Sequence, residues 1–341
     1  MAKRMSIKDV AQRAGVSYQT VSRVINNKPD VSSETRSRVQ AAIDSLNYRP
    51  SLAAQVFAHE RTMIIGVVIP WSADFLSDNH HLLQLLTGAD REANLHDYMV
   101  LLSAARSKND AQSSYERLLR RHIMDGVIVE GGMGQVGAKM LADKGYPVVM
   151  VGYSTIGIPS VHSDEDGGRY SGTQHLLALG HRRIGMISGP QDLFEVRNPF
   201  LGCLQALQHA GVSADGNLMI HSDFTVEGGY QAVQRLMQQP DPPTAIFAAN
   251  DATALGVIRW LQEHAYRIPE DISVVGFDDM PSAQYFHPPL TTIHQFSSDI
   301  GQRAVSLLFD LIENSEPPTT EVIVPTQLVV RGSTAIAPGT R

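Results

Sequence analysis

The stretch VSYQTVSRVINNKPDVS, Val16 to Ser32, has the pattern of a short amphipathic helix halted by a polar turn. Val21, Val24 and Ile25 fall on one face, which leaves Tyr18, Gln19, Ser22, Arg23 and Asn26 on the other. Two surfaces fit this pattern: the solvated side of any small helical hairpin, or a face suited to the edges of nucleic-acid bases. Gln19 can pair bidentately with adenine and Arg23 with guanine. They are four residues apart, so one helical face carries both. Tyr18 offers a ring and a hydroxyl. Ser17, Ser22 and Asn26 are short polar groups able to reach phosphate oxygens.

The flanking residues extend the pattern to three helices. Upstream, Ile7, Val10, Ala11 and Ala14 recur at i, i+3, i+4, i+7. Ser6 followed by Asp9 is close to a capping box, and Gly15 permits a tight turn. Downstream, Val39, Ala42, Ile43 and Leu46 repeat the same spacing. Helix, short glycine turn, helix is the helix-turn-helix plan. Charge points the same way. The chain as a whole carries −7, but residues 1–61 hold ten basic and five acidic side chains, so this head is +5 and the remainder −12. A basic head on an acidic body is expected where one end meets phosphates.

The segment YRPSLAAQVFAHERT, 48–62, follows the third helix. It reads either as a linker with incidental apolar residues or as a hinge that folds on DNA and presses an apolar wedge into the minor groove. Beyond it, apolar β-rich runs alternate with helical stretches: MIIGVVIP (63–70), YMVLLSAA (98–105), DGVIVEG (125–131), YPVVMVGY (146–153), RIGMISGP (183–190), AIFAAN (245–250) and ISVVGFDD (272–279). Continuous apolar strands between helices imply parallel sheets covered on both faces. The pattern restarts near SVHSDEDGGRY, so two similar lobes are expected. Ligands in such folds bind at the carboxyl ends of strands. That rule selects Trp71, Asp74 and Phe75, then Phe224, Asn250, Asp251, Asp278 and Asp279, with Arg197 in a neighbouring loop. Carboxylates, an amide, an arginine and an aromatic ring suit a polyhydroxylated ligand, although an Asp or Asn at a strand end can equally cap the next helix.

At this point the chain resembles the LacI/GalR family of bacterial transcription regulators over nearly its whole length. The resemblance is carried by SIKDVAQRAGVSYQTVSRVINNKPDVSSETRSRVQAAIDSLNYRP in the head and by LLALGHRRIGMISGP, FAANDATALGVI, RIPEDISVVGFDD and PPLTTIHQ in the body. It implies a homodimer, a palindromic operator and a small-molecule effector held between two lobes of periplasmic-binding-protein type. It also implies that Tyr18, Gln19 and Arg23 read bases, that Asn250 and Asp278 bind the effector, and that Phe224 stacks on it. There are departures. Phe57 stands where the minor-groove wedge is usually Leu. The usual effector arginine position is Pro199, with Arg197 nearest. Gly152 and Tyr153 replace an acidic residue after the fourth strand.

The expected architecture is therefore α/β: a helix-turn-helix headpiece (1–48), a hinge (49–62), and two doubly wound parallel-sheet lobes (63–335). The first lobe covers about 63–161 and 292–320, the second about 162–291 and 321–335. The expected function is a DNA-binding repressor of carbohydrate-utilisation genes under allosteric control by a sugar or glycoside. A nucleobase-type corepressor and a solute-binding protein without DNA function remain the alternatives. No apolar run reaches membrane-spanning length and no signal-peptide core is seen, so a cytoplasmic protein is expected. The C-terminus lacks a leucine heptad, which favours a dimer over a tail-built tetramer. Catalysis, metal and cofactor are not expected: no G-x-S-x-G, P-loop or metal-ligand spacing occurs. DEDGG (164–168) reads as a helix cap, EGGMG (130–134) as a strand-end turn, and Cys203 as a small buried hydrophobe.

Overall fold

The computed structural model describes residues 5–25, 28–48, 61–72, 79–105, 111–119, 123–131, 135–191, 198–314 and 319–339. The head holds α1 (Ile7–Ala14), α2 (Tyr18–Ile25) and α3 (Ser33–Leu46). Ser6 and Asp9 form a complete capping box on α1, with the Ser6 amide donating to Asp9 Oδ2 at 2.7 Å. Gly15 ends that helix at φ 65°, a left-handed conformation that costs a non-glycine residue steric strain. Ser17 Oγ accepts from the Thr20 amide at 3.1 Å at the start of α2, and Ser32 Oγ caps α3 through the Thr35 amide. The apolar stripes meet in one small core: Val10, Ala11, Ala14, Val21, Val24, Val39, Ala42 and Tyr48 are buried, with Ile7, Ile25, Ile43 and Leu46 packed against them.

The body opens with β1 (Ile64–Ser72), α4 (His80–Leu95), β2 (Met99–Ala105), α5 (Ala111–Leu119), β3 (Gly126–Glu130), α6 (Gln135–Asp143), β4 (Val148–Val151) and β5 (Ser160–Ser163). Next come α7 (Glu165–Ala178), β6 (Ile184–Ser188), α8 (Leu201–His209), β7 (Met219–His221), α9 (Val226–Met237), β8 (Ala245–Phe247), α10 (Asp251–Glu263) and β9 (Ser273–Val275). The chain ends with β10 (Thr292–His294), α11 (Ser297–Asn314), β11 (Glu321–Val324) and β12 (Gln327–Val329). A six-stranded sheet has the order β11-β5-β4-β3-β1-β2, and a four-stranded sheet the order β7-β6-β8-β9. The four-stranded sheet is parallel throughout. Strand runs such as Val127–Val129 and Val148–Val151 are buried along their length, as a sheet covered on both faces requires.

Two of the expected lobe limits shift. Val324 pairs with Ser163 in the first sheet, so 321–324 belongs there and not with the second lobe, and the first lobe extends through Ser163. β10 pairs antiparallel with β12, its His294 bridges Asp278, and the preceding Thr291 bridges Val275, so 292–294 belongs with the second lobe. Backbone pairing decides both cases over apolar pattern. The chain crosses between lobes near 164, 295 and 325. These crossings are stitched together: the Asp164 amide donates to Val324 O at 2.8 Å, Thr326 Oγ1 to Asp164 O at 3.1 Å, and Ser163 Oγ to Gln295 Oε1 at 2.9 Å. Asp164 also caps α7 through the Gly167 amide at 2.9 Å, as expected of DEDGG.

Candidate functional sites

The head presents an open concavity along α2 and the turn after it, lined among others by Gln19, Thr20, Arg23, Asp30, Ser32 and Thr35. Gln19 and Arg23 are exposed there, and Tyr18 is exposed at 55% outside the lining of the concavity. Ser17 is exposed too, but its hydroxyl is engaged with Thr20, 2.9 Å from Thr20 Oγ1. Ser22 is half-buried. Asn26 and Phe57 lie outside the described residues. Arg23 Nη2 is ion-paired with Asp30 Oδ2, and this bond holds the Asp30 carboxyl below its usual range. The turn carrying Asp30 is clamped by Arg36, which donates to Lys28 O at 2.7 Å. Sequence reasoning had placed Asp30 only as part of a helix-breaking turn.

In the body, three expected ligand residues stand at the carboxyl ends of three strands of the second sheet. Phe224 follows β7, Asn250 follows β8 and Asp278 follows β9. Asn250 caps α10 by accepting from the Thr253 amide at 2.8 Å, and its Nδ2 donates to Phe224 O at 3.1 Å. Phe224 adopts φ 65° and its ring lies on the Gly189 backbone. A Cβ at Gly189 would sit 1.9 Å from Phe224 Cζ, so only glycine admits the ring there. Asp278 is held at φ 106°. Backbone conformations of this kind, which cost on the order of 1–3 kcal/mol each, persist where the surroundings over-determine them and cluster at binding sites. Asp74, Phe75 and Arg197 lie outside the described residues.

Asp278 Oδ1 accepts a hydrogen bond from Gln295 Nε2, and Gln295 in turn accepts from Ser163. Gln295 and Ser163 are both buried, and sequence reasoning missed both. Burial, followed by the nearby Asp251 charge, pushes the Asp278 carboxyl well above its usual range. Burial likewise lifts Asp251 to about 7, against hydrogen bonds from Thr292 Oγ1 (2.6 Å) and the Met280 amide (2.7 Å) that favour its anion. Arg169, also missed, is buried with its guanidinium 5.0 Å from the Phe277 ring centroid, and is neutralised by Glu165 at 2.7 Å. His81 Nδ1 lies 2.7 Å from Ser297 Oγ, and desolvation holds this imidazole down to about 4, so it is neutral near pH 7. The groups around Asp278 thus include carboxyls and an arginine already paired. This suits neutral hydrogen-bonding ligands and disfavours anions. A signal for Gln295 existed in the HQ pair at the end of β10, His294-Gln295. Arg169 showed only as a charge on an otherwise inward helix face.

Among the described residues no cluster of His, Cys, Asp and Glu can hold a metal ion, and no helix is long and apolar enough to cross a membrane. Two family models match the chain: bacterial regulatory proteins, lacI family, over residues 6–51, and the periplasmic binding protein-like domain over residues 173–334. The chain is 31% identical over 337 residues to the HTH-type transcriptional repressor CytR of Escherichia coli (strain K12), covering 98% of this chain and 97% of that one. Among solved structures it matches the lac repressor dimer bound to operator and the anti-inducer ONPF, with TM-score 0.87 and 31% identity over 98% of this chain and all (100%) of that one. It also matches the transcriptional regulator CelR–cellobiose complex, with TM-score 0.73 and 32% identity over 97% of this chain and 100% of that one. The head and the two lobes are accordingly those of a DNA-binding transcriptional regulator and not of an enzyme, and the chain belongs to the lacI family of bacterial regulatory proteins.

Proposed function

We propose that this protein is a cytoplasmic repressor of carbohydrate-utilisation genes that binds a palindromic operator as a homodimer and is controlled by a sugar or glycoside. In the head (1–48), Tyr18, Gln19 and Arg23 read base edges, while Ser17, Ser22 and Asn26 serve phosphates. The segment 49–62 links head and body and places Phe57 in the minor groove. In the body, Phe224 lies against the apolar face of the ligand, and Asn250 and Asp278 bond its hydroxyls, with Asp74, Phe75 and Arg197 as further contacts.

The observation that carries the ligand reading is the hydrogen-bonded run from Asp278 through Gln295 to Ser163. It joins a strand-end carboxyl to two of the segments that cross between lobes. A ligand hydroxyl on Asp278 changes what Gln295 bonds, and so biases the lobe arrangement. Ligand then acts by population shift: it favours whichever arrangement it binds better, and operator affinity changes by the same coupling free energy. CelR, similar to this chain, is known with cellobiose, which supports a carbohydrate effector.

The test is a thermal-shift screen of sugars, glycosides and nucleobases, followed by DNA binding with and without each hit. A ligand that binds only the folded state raises the melting temperature, by an amount that grows with the logarithm of its concentration above Kd. A glycoside hit lost in Asp278→Asn supports the proposal. Hits confined to nucleobases, or a glycoside shift unchanged in Asp278→Asn, would overturn the ligand assignment.

A further inference from the structure

Arg23, the residue placed to read guanine, is not presented alone. Its Nη2 is ion-paired with Asp30, which stands seven positions on in the turn between α2 and α3. That turn is built to hold the carboxylate there. The Lys28 amide donates to Arg23 O at 2.9 Å, and Arg36 from α3 donates to Lys28 O at 2.7 Å and Val24 O at 3.5 Å. Ser32, two residues beyond Asp30, caps α3. Asp30 and Gln19 line the same concavity. A carboxylate on a surface that must approach phosphates lowers affinity for DNA of any sequence, so its position calls for a compensating role.

We infer that Asp30 is a specificity-determining residue that positions the Arg23 guanidinium for a base edge and withholds it from phosphates, an inference that rests on Arg23 being a base reader. The guanidinium has more N–H donors than the carboxylate uses, so Arg23 can keep Asp30 on Nη2 and still offer a fork to guanine O6 and N7. A phosphate gains less. To take Arg23 as a counter-ion it must displace Asp30 or bind beside it, against the charge of the carboxylate. Asp30 thus lowers affinity for non-specific DNA more than for the operator and widens the ratio between them.

The experiment uses the full-length protein and two duplexes: one selected from a random pool by the wild-type protein, and a scrambled duplex of the same length. Dissociation constants are measured across a salt series for wild type, Asp30→Asn, Arg23→Ala and the double variant. In Asp30→Asn, scrambled-duplex affinity should rise about threefold to tenfold at low salt. The salt slope on that duplex should steepen by up to about one unit. The selected-to-scrambled ratio should fall. In the Arg23→Ala background the same replacement should leave the ratio unchanged, because the residue that Asp30 positions is gone. If Arg23→Ala lowers the ratio but Asp30→Asn leaves it within about twofold of wild type, Asp30 has no part in specificity. If Arg23→Ala itself leaves the ratio unchanged, the base-reading role of Arg23 fails and the inference falls with it. Both side chains are exposed, 57% and 48%, and circular dichroism checks that each variant keeps its helices.

Discussion

Replacing Asp251 by asparagine should flatten the pH dependence of the protein's stability. Asp251 is 1% exposed, and burial raises its carboxyl from 3.8 to about 7. The folded chain therefore holds this proton more tightly than the unfolded chain. The stability so gained is complete below about pH 4 and is lost as pH rises through about 7. At about 1.4 kcal/mol per unit, the full loss is about 4 kcal/mol, of which roughly 2.5 kcal/mol falls between pH 5 and pH 8. Asparagine has nearly the same shape. Its carbonyl accepts from the Met280 amide and its amide donates to the Thr292 hydroxyl, so both partners stay bonded while the buried charge disappears. Other groups titrate in the same interval. Asp278, also raised, adds slope of the same sign. His81, lowered to about 4, adds slope of opposite sign, because its neutral form is favoured in the fold and its contribution is lost as pH falls. Both are present in both proteins, so the difference between their pH curves reports Asp251 together with its coupling to Asp278, whose carboxyl the Asp251 charge helps to raise. Urea unfolding followed by circular dichroism at about pH 5, 6, 7 and 8 measures it. The variant should gain about 2 to 3 kcal/mol on wild type across that range. Curves that stay parallel within about 0.5 kcal/mol would refute the reasoning, since no proton would then be held at Asp251.

Two other substitutions probe local geometry. Gly189→Ala puts a methyl group where the Phe224 ring lies, so it should displace the ring and weaken any ligand-induced thermal shift about tenfold or more in ligand concentration; an unaltered dose response would show that the ring takes no part in binding. Ser6→Ala removes the side-chain half of the capping box on α1, in which Ser6 Oγ accepts from the Asp9 amide, and should destabilise the head by about 1 kcal/mol, read from hydrogen exchange at Val10 and Ala11; unchanged protection there would mean that the Ser6 hydroxyl adds nothing.

Much of this architecture was legible because it rests on local periodicity. The apolar runs at 63–70, 98–105, 125–131, 146–153, 183–190, 245–250 and 272–279 correspond to β1, β2, β3, β4, β6, β8 and β9. The helix caps Ser6 and Asp164 were also visible, because capping is a contact over three residues. What escaped was non-local. β5 and β10 to β12 are three or four residues long and lie outside the seven apolar runs. Their partners are remote, as Ser160 and Glu321 illustrate, and the lobe limits went astray at just these strands. Ser163 and Gln295 lie 132 positions apart, so no spacing rule unites them. Asp30 was missed for another reason: the same polar residues that make a turn can also carry a side chain back onto the preceding helix.

The central claim, that α2 of this regulator reads base edges through Gln19, is tested most directly by selecting duplexes from a random pool with wild-type protein and with Gln19→Ala. The account predicts that wild type enriches a palindrome. The variant should enrich the same palindrome with preference lost at one symmetric pair of positions, a discrimination of about 1–3 kcal/mol per contact. Affinity for phosphates should be retained. Identical base preferences for both proteins, or no enriched sequence with wild type, would contradict it.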